Sequence, residues 1–182
     1  MLLAYSPKSR GTKVQTPTHL KTGVWIDRVV PDLRPGSIRR LLVAVLGIYS
    51  HAILDSLAAL TYHPPDPSPG DRFWVGYHAA VTTLTLRVWK KNQQQHKWAM
   101  ICSVLPDLDW LFIKTSAMLG NQIAVSRRPT LHGLLSKALY SLPLFRLLNH
   151  LPDLRQKKAA AILELILYLL LSGDKDSIWK QK

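Results

Sequence analysis

Leu41 to Tyr62 reads LLVAVLGIYSHAILDSLAALTY, a run without proline in which His51 and Asp55 are the only strongly polar side chains. An apolar run of that length is expected to form a helix that is either buried or inserted in a membrane. Its end is set by His63-Pro64-Pro65-Asp66-Pro67-Ser68-Pro69-Gly70, because each proline lacks an amide donor and restricts the residue before it. On the N-terminal side, Thr18-His19 begins a short apolar-periodic stretch (Leu20, Val24, Trp25, Val29) that ends at Pro31. On the C-terminal side, Phe73 to Lys91 and His96 to Val104 read as two helical segments, and Pro106 breaks the pattern before the apolar stretch Trp110 to Leu119. A helix carrying His132 follows Pro129, and the last helix is expected from Pro152 or Asp153 to Leu171. No stretch alternates β-branched with polar residues, so the fold class is all-α, a bundle of about six helices around a central apolar helix.

The whole chain has 182 residues, the size of one domain. The expected division is a basic flexible N-terminal arm (1–16), a single helical domain (17–172) and a polar tail (173–182). The five apolar positions before Ser6-Pro7-Lys8 are too few for a secretory signal. With 47% hydrophobic and 19% charged residues the chain is too apolar for a disordered tail. Cys102 is the single cysteine, which excludes an intrachain disulfide and a cysteine-based zinc site. The net charge of +13 points to an anionic partner: a phosphate, a nucleic acid or an acidic lipid surface. Acid is scarce and concentrated, since Glu164 is the only glutamate and Asp55, Asp66, Asp71, Asp107 and Asp109 share one central stretch with His51, His63 and His78.

His51 and Asp55 are four residues apart, which on a helix puts them on one face, one turn apart, where they can chelate one cation or orient each other. A lone aspartate among Leu, Ile and Ala needs compensation, and no Lys or Arg lies between Arg40 and Arg72. The alternative is a His–Asp hydrogen bond in the core, or a distant arginine partner. Leu105-Pro106-Asp107-Leu108-Asp109-Trp110 places two carboxylates two residues apart at a helix break, where they repel unless a cation or a shared proton intervenes; one capping and one solvated aspartate is the other reading. His132 follows Arg127-Arg128-Pro129-Thr130-Leu131, and His19 follows Thr18. Five elements each presenting a His or Asp beside apolar residues is how a helical bundle builds an interior metal site. His63 and His78, beside the Pro-rich loop, are weaker candidates for the same site, and His96 and His150 read as surface residues.

Three segments resemble the motifs of the bacterial inner-membrane metal-dependent hydrolases. Ser50-His51-Ala52-Ile53-Leu54-Asp55 is similar to their S-H-x-x-x-D, Leu105-Pro106-Asp107-Leu108-Asp109 to their L-P-D-x-D, and Arg128-Pro129-Thr130-Leu131-His132-Gly133-Leu134 to their R-G-x-T-H-S-L. Thr18-His19 resembles their opening T-H. The order departs from the family's, in which S-H-x-x-x-D comes last; Trp110 stands where L-P-D-x-D is usually followed by His, and Leu131-His132 replaces Thr-His. The resemblance implies a helical domain holding divalent metal, zinc by analogy, on His19, His51, Asp55, Asp107, Asp109 and His132, in association with a membrane. The H-x-x-x-D spacing is distantly like that of zinc-dependent phospholipase C, which implies phosphoester hydrolysis by a metal-activated water, with Arg127 or Arg128 clamping an anionic small-molecule or lipid substrate. A solvated basic turn is the alternative for the arginines.

Leu41 to Tyr62 is long enough for a bilayer core of about 30 Å. The basic residues up to Arg40, set against the acidic loop Tyr62 to Asp71, place the N-terminus on the cytoplasmic side of an inner membrane if the run inserts. A buried helix in a soluble cytoplasmic bundle explains the same run. The competing functional class is a basic helical binding protein for anionic lipid or nucleic acid with structural His and Asp; nucleic acid is the less favoured, since there is no zinc finger, RNA-binding aromatic signature or helix-turn-helix.

Overall fold

A computed structural model describes residues 15–64, 70–109 and 131–172. Among these residues the fold is all-α, as expected, and is carried by five longer helices: α1 (Thr16–Val29), α2 (Gly36–Ser56), α3 (Arg72–Val104), α4 (Leu131–Ser141) and α5 (Ala160–Ser172). A helical turn (Pro143–Arg146) and three 3-10 turns (Ala58–Leu60, Leu105–Asp107 and Leu147–His150) connect them. The apolar stretch Trp110 to Leu119, the acidic loop residue Asp66 and the basic turn with Arg127 and Arg128 lie outside the described residues.

The most apolar helix is not the most enclosed one. Eight of the fourteen residues of α1 are buried, including Leu20, Val24 and Ile26, against five of the 21 in α2. Leu20 and Val24 pack on Val88 and Met100 of α3, with Trp89, Val104 and Tyr168 closing the cluster. Ile26 and Val30 meet Val43 and Ala99 in a second cluster. The outer face of α2 instead leaves Ile38, Leu41, Leu42, Val45, Leu46 and Tyr49 exposed, and α2 is the one described helix long and apolar enough to cross a membrane.

Glycine lets the three central helices meet. A Cβ on Gly23 would lie 2.6 Å from the Ala99 carbonyl oxygen and 2.8 Å from Ser103 Oγ, and one on Gly47 would lie 3.2 Å from Cys102 Cβ and 3.3 Å from Ser103 N. Both α1 and α2 therefore close onto the same stretch of α3. The absence of a side chain has no such use at Gly76, whose Cβ would meet nothing within 4 Å. Gly76→Ala is accordingly expected to raise stability by about 0.5–1 kcal/mol through helix propensity alone, read as a higher urea midpoint at unchanged slope.

Four expectations need correction. The apolar helix expected over Leu41–Tyr62 is α2, Gly36–Ser56, and gives way to the 3-10 turn Ala58–Leu60 before the prolines are reached. The two segments Phe73–Lys91 and His96–Val104 are one helix of 33 residues with a kink at His96 (φ −118°, ψ 17°). His96 is no surface residue either: Its Nδ1 is 2.7 Å from Asp27 Oδ2, with both side chains 14% exposed, while Arg39 Nη1 donates to Asp27 Oδ1 at 2.8 Å. Asp27 thus ties α1, α2 and the kink of α3 together, a long-range pairing that local sequence cannot reveal. His150 is exposed, as expected. Finally, the last helix starts at Ala160 rather than Pro152 or Asp153. Asp153 Oδ1 accepts from Arg155 N and Nε, an aspartate turn that competes with helix, and the loop is tied to the end of the α2 region by Leu154 N donating to Ala59 O and His63 N donating to Arg155 O.

Candidate metal centre

Each of the two glycines is one helical turn from a histidine on its own helix, Gly23 after His19 and Gly47 before His51. Closing the helices at the glycines stacks the two imidazoles, with ring centroids 4.0 Å apart and planes inclined by 18°. Asp55, one turn beyond His51, completes the group. His19 Nε2 is 3.2 Å from Asp55 Oδ1 and His51 Nε2 is 3.3 Å from Asp55 Oδ2. Ligand atoms from all three residues lie within 4.8 Å of one another, and both histidines are fully buried.

The tautomer of His51 is decided by its other nitrogen. Pro106 interrupts the helical ladder at the end of α3, where the last carbonyls need other partners, and the Ser103 carbonyl accepts from His51 Nδ1–H at 2.8 Å. In the neutral ring, Nε2 then carries a lone pair directed at carboxylate oxygens, those of Asp55 and of Asp107, whose Oδ1 is 3.7 Å away. Lone pair facing carboxylate requires either a proton or a cation between them. A ring N–H held by a backbone carbonyl is also the usual outer-shell arrangement of a metal-binding histidine.

His19 tests the fit further. Its Nδ1 is buried without a hydrogen-bond partner among the described residues, and burial, outweighing the attraction of Asp55, pushes its pKa below 6.5. A neutral His19 beside a second imidazole and two carboxylates is a nitrogen and oxygen donor set suited to zinc or a similar divalent ion. The donors present therefore fit the group that the sequence resemblance implies.

The remaining candidates are placed unequally. Asp107, in the 105–107 turn, faces the cluster from its rim, with 28% of its side chain exposed, and so marks the accessible edge. Asp109, two residues on, is half-buried and does not belong to the three-residue group. The helix that bears His132, α4, packs against α2 and the 105–107 turn, but the His132 side chain, like Arg127 and Arg128, lies outside what is described. His63 and His78 face each other with ring centroids 6.4 Å apart, beside Trp74 and Tyr77. Gln15 Nε2 donates to His63 Nδ1 at 3.3 Å, and burial, reinforced by His78 and opposed by Asp55, lowers the His63 pKa. These two form an aromatic shell beside the cluster.

Sequence reading missed Gly23 and Gly47, whose signal is a glycine four residues from each ligand histidine. Glu164 stands out in the sequence as the single glutamate, but its burial was not legible there. One of its oxygens accepts from Gln15 N at 2.7 Å and the other from the Tyr77 hydroxyl. Burial raises the Glu164 pKa above 4.5 despite those two donors. A carboxyl whose folded pKa is raised binds its proton more tightly in the folded state. Its contribution is therefore fully present below about pH 4.5 and is lost as pH rises through the folded value. Glu164→Gln is expected to lose about 1 kcal/mol, since an amide cannot accept from both donors, and to flatten the fall in stability between pH 4.5 and neutrality, measured by urea titration at each pH.

No protein-family model, curated protein or solved structure gives a significant match to the chain.

Proposed function

We propose that the chain is a metal-dependent hydrolase whose divalent ion is held by His19, His51 and Asp55, with Asp107 at the open edge. The observation that carries this reading is the buried His–His–Asp group, with its ligand atoms within 4.8 Å of one another. A divalent ion in such a site supplies Lewis-acid character and a nucleophilic water at neutral pH. The chain's own residues do the rest. The Ser103 carbonyl orients His51, the stacked rings exclude water from the inner side, and the partly exposed Asp107 borders the side from which a substrate approaches. Asp107 can accept a proton from an attacking water there. The likeness of the three motifs to the inner-membrane metal-dependent hydrolases supports the same reading and favours zinc and an anionic phosphoester substrate, with Arg127 or Arg128 as its clamp and Asp109 and His132 as further ligands.

The net charge of +13 and the exposed apolar face of α2 favour placing the protein at a membrane with anionic lipid, N-terminus on the cytoplasmic side, since exposed apolar patches of this extent mark interaction surfaces. Elemental analysis of the purified protein is the test of the metal reading. Stoichiometric divalent metal is expected in wild type and in Asp153→Ala, but not in Asp55→Ala, with hydrolysis of a phosphodiester panel following the metal. Metal-free protein, or equal occupancy in all three, would leave a basic lipid-binding bundle with structural histidines. Membrane fractionation tests the location: retention through alkaline carbonate marks insertion, release by salt marks charge alone, and full solubility from the start removes the membrane from the proposal.

A further inference from the structure

On the other side of α1 from the metal cluster runs an apolar groove of about 780 Å³, bounded by the start of α1, the first half of α3 and α5. Pro17 and Thr18 line it while the next residue, His19, turns into the cluster. Consecutive side chains on a helix point about 100° apart, so α1 is the wall between the two sites and none of the three metal-site residues lines the groove. The volume is within the range of small-molecule sites, roughly 300–1,000 Å³.

The groove has a polarity along its length. One end is formed by Arg72, at the start of α3, and Lys158, just before α5. Lys158 Nζ is 5.2 Å from the centre of the Phe73 ring and 3.9 Å from Asp71 Oδ1, which is itself occupied in capping α3 through Phe73 N and Trp74 N. From Arg72 to Leu84 the α3 wall rises by twelve helical steps, about 18 Å, the reach of a long acyl chain. Along it, Tyr77 and Gln15 N both donate to Glu164, while Thr18 Oγ1 is buried without a hydrogen-bond partner among the described residues. The apolar lining includes Ala80, Val81, Leu84, Ile162 and Leu165, with an open position over Gly76.

We propose that this groove binds a single-chain anionic amphiphile of the long-chain fatty acid class, its head at Arg72 and Lys158 and its chain along Ala80, Leu84 and Leu165. The concave shape suits one chain, whereas the convex outer face of α2 suits a bilayer. Two cations at one end of an apolar trough recognise an acid and not an alcohol, because only the acid gains charge-assisted hydrogen bonds there. The site is independent of the metal centre, and its occupancy does not require the hydrolase reading.

The test uses the full-length protein, a fluorescent long-chain fatty acid as probe, and palmitate and hexadecanol as competitors. Wild type is expected to bind one probe saturably, with palmitate displacing it at concentrations roughly tenfold or more below hexadecanol. Gly76→Leu fills the groove from a position with open space and replaces a helix-interior glycine, so it is expected to abolish probe binding while its melting temperature stays at or above that of wild type. Arg72→Ala with Lys158→Ala is expected to erase the preference for palmitate over hexadecanol. The proposal is overturned by the absence of saturable binding in wild type, by undiminished binding in Gly76→Leu, or by an equal affinity for acid and alcohol. It is overturned equally if Gly76→Leu abolishes self-association and leaves fatty acid binding intact, which would assign the groove to a second copy of the chain.

Discussion

Gly23→Ala is expected to cost about 3 kcal/mol or more, the upper end of what overpacking a core does, and to lower metal content with it. The reason is the rigidity of what the new methyl meets. At 2.6 Å from the Ala99 carbonyl oxygen it collides with helix backbone, which cannot rotate away as a side chain end would, so α1 must lift from α3. His19 sits one turn back on the same helix, and its stacking on His51 at 4.0 Å is lost as α1 moves. Gly47→Ala is the graded comparison, since its nearest atom is Cys102 Cβ at 3.2 Å and a shift of a few tenths of an ångström relieves it; about 1 kcal/mol is expected there. Urea midpoints give the stabilities and elemental analysis the metal. Wild-type stability in Gly23→Ala would mean that α1 and α3 do not approach as described.

Removal of the metal by a chelator is expected to destabilise wild type by about 3 kcal/mol or more, both because a ligand bound only to the folded state stabilises it by mass action and because a carboxylate is left in a buried site without its cation. Asp55→Asn sharpens this into a question of sign. Its amide carries no charge, so in chelator the variant is expected to be more stable than wild type, while showing no response to metal. The competing arrangement, in which a protonated imidazole holds Asp55, gives the opposite order: Asp55→Asn would be the weaker protein in chelator, and wild type would ignore the chelator altogether. Thermal melts of both proteins with and without chelator separate the two, and that opposite order would refute the metal reading.

The sequence by itself determined the helical class, the apolar character of α2 and the pairing of His51 with Asp55, because each depends on spacing within one segment. A period of 3.6 puts residues 51 and 55 on one face whatever surrounds them. Proline ends a helix by what it lacks, so the break at Pro106 was legible, whereas α2 stops at Ser56, well before Pro64. His19 could be suspected from Thr18-His19, but its 36-residue separation from Asp55 is closed only by the approach of α1 and α2 to α3, and that approach rests on what Gly23 and Gly47 leave out. The tertiary structure alone decided that α1 and not α2 is the enclosed helix, that His96 and Asp27 tie three helices at the kink, that Glu164 is buried under Tyr77, and that the last helix waits until Ala160. Each of these is set by a partner distant in sequence, through packing or a hydrogen bond whose strength depends on burial, and neither leaves a periodic trace in the local order of residues.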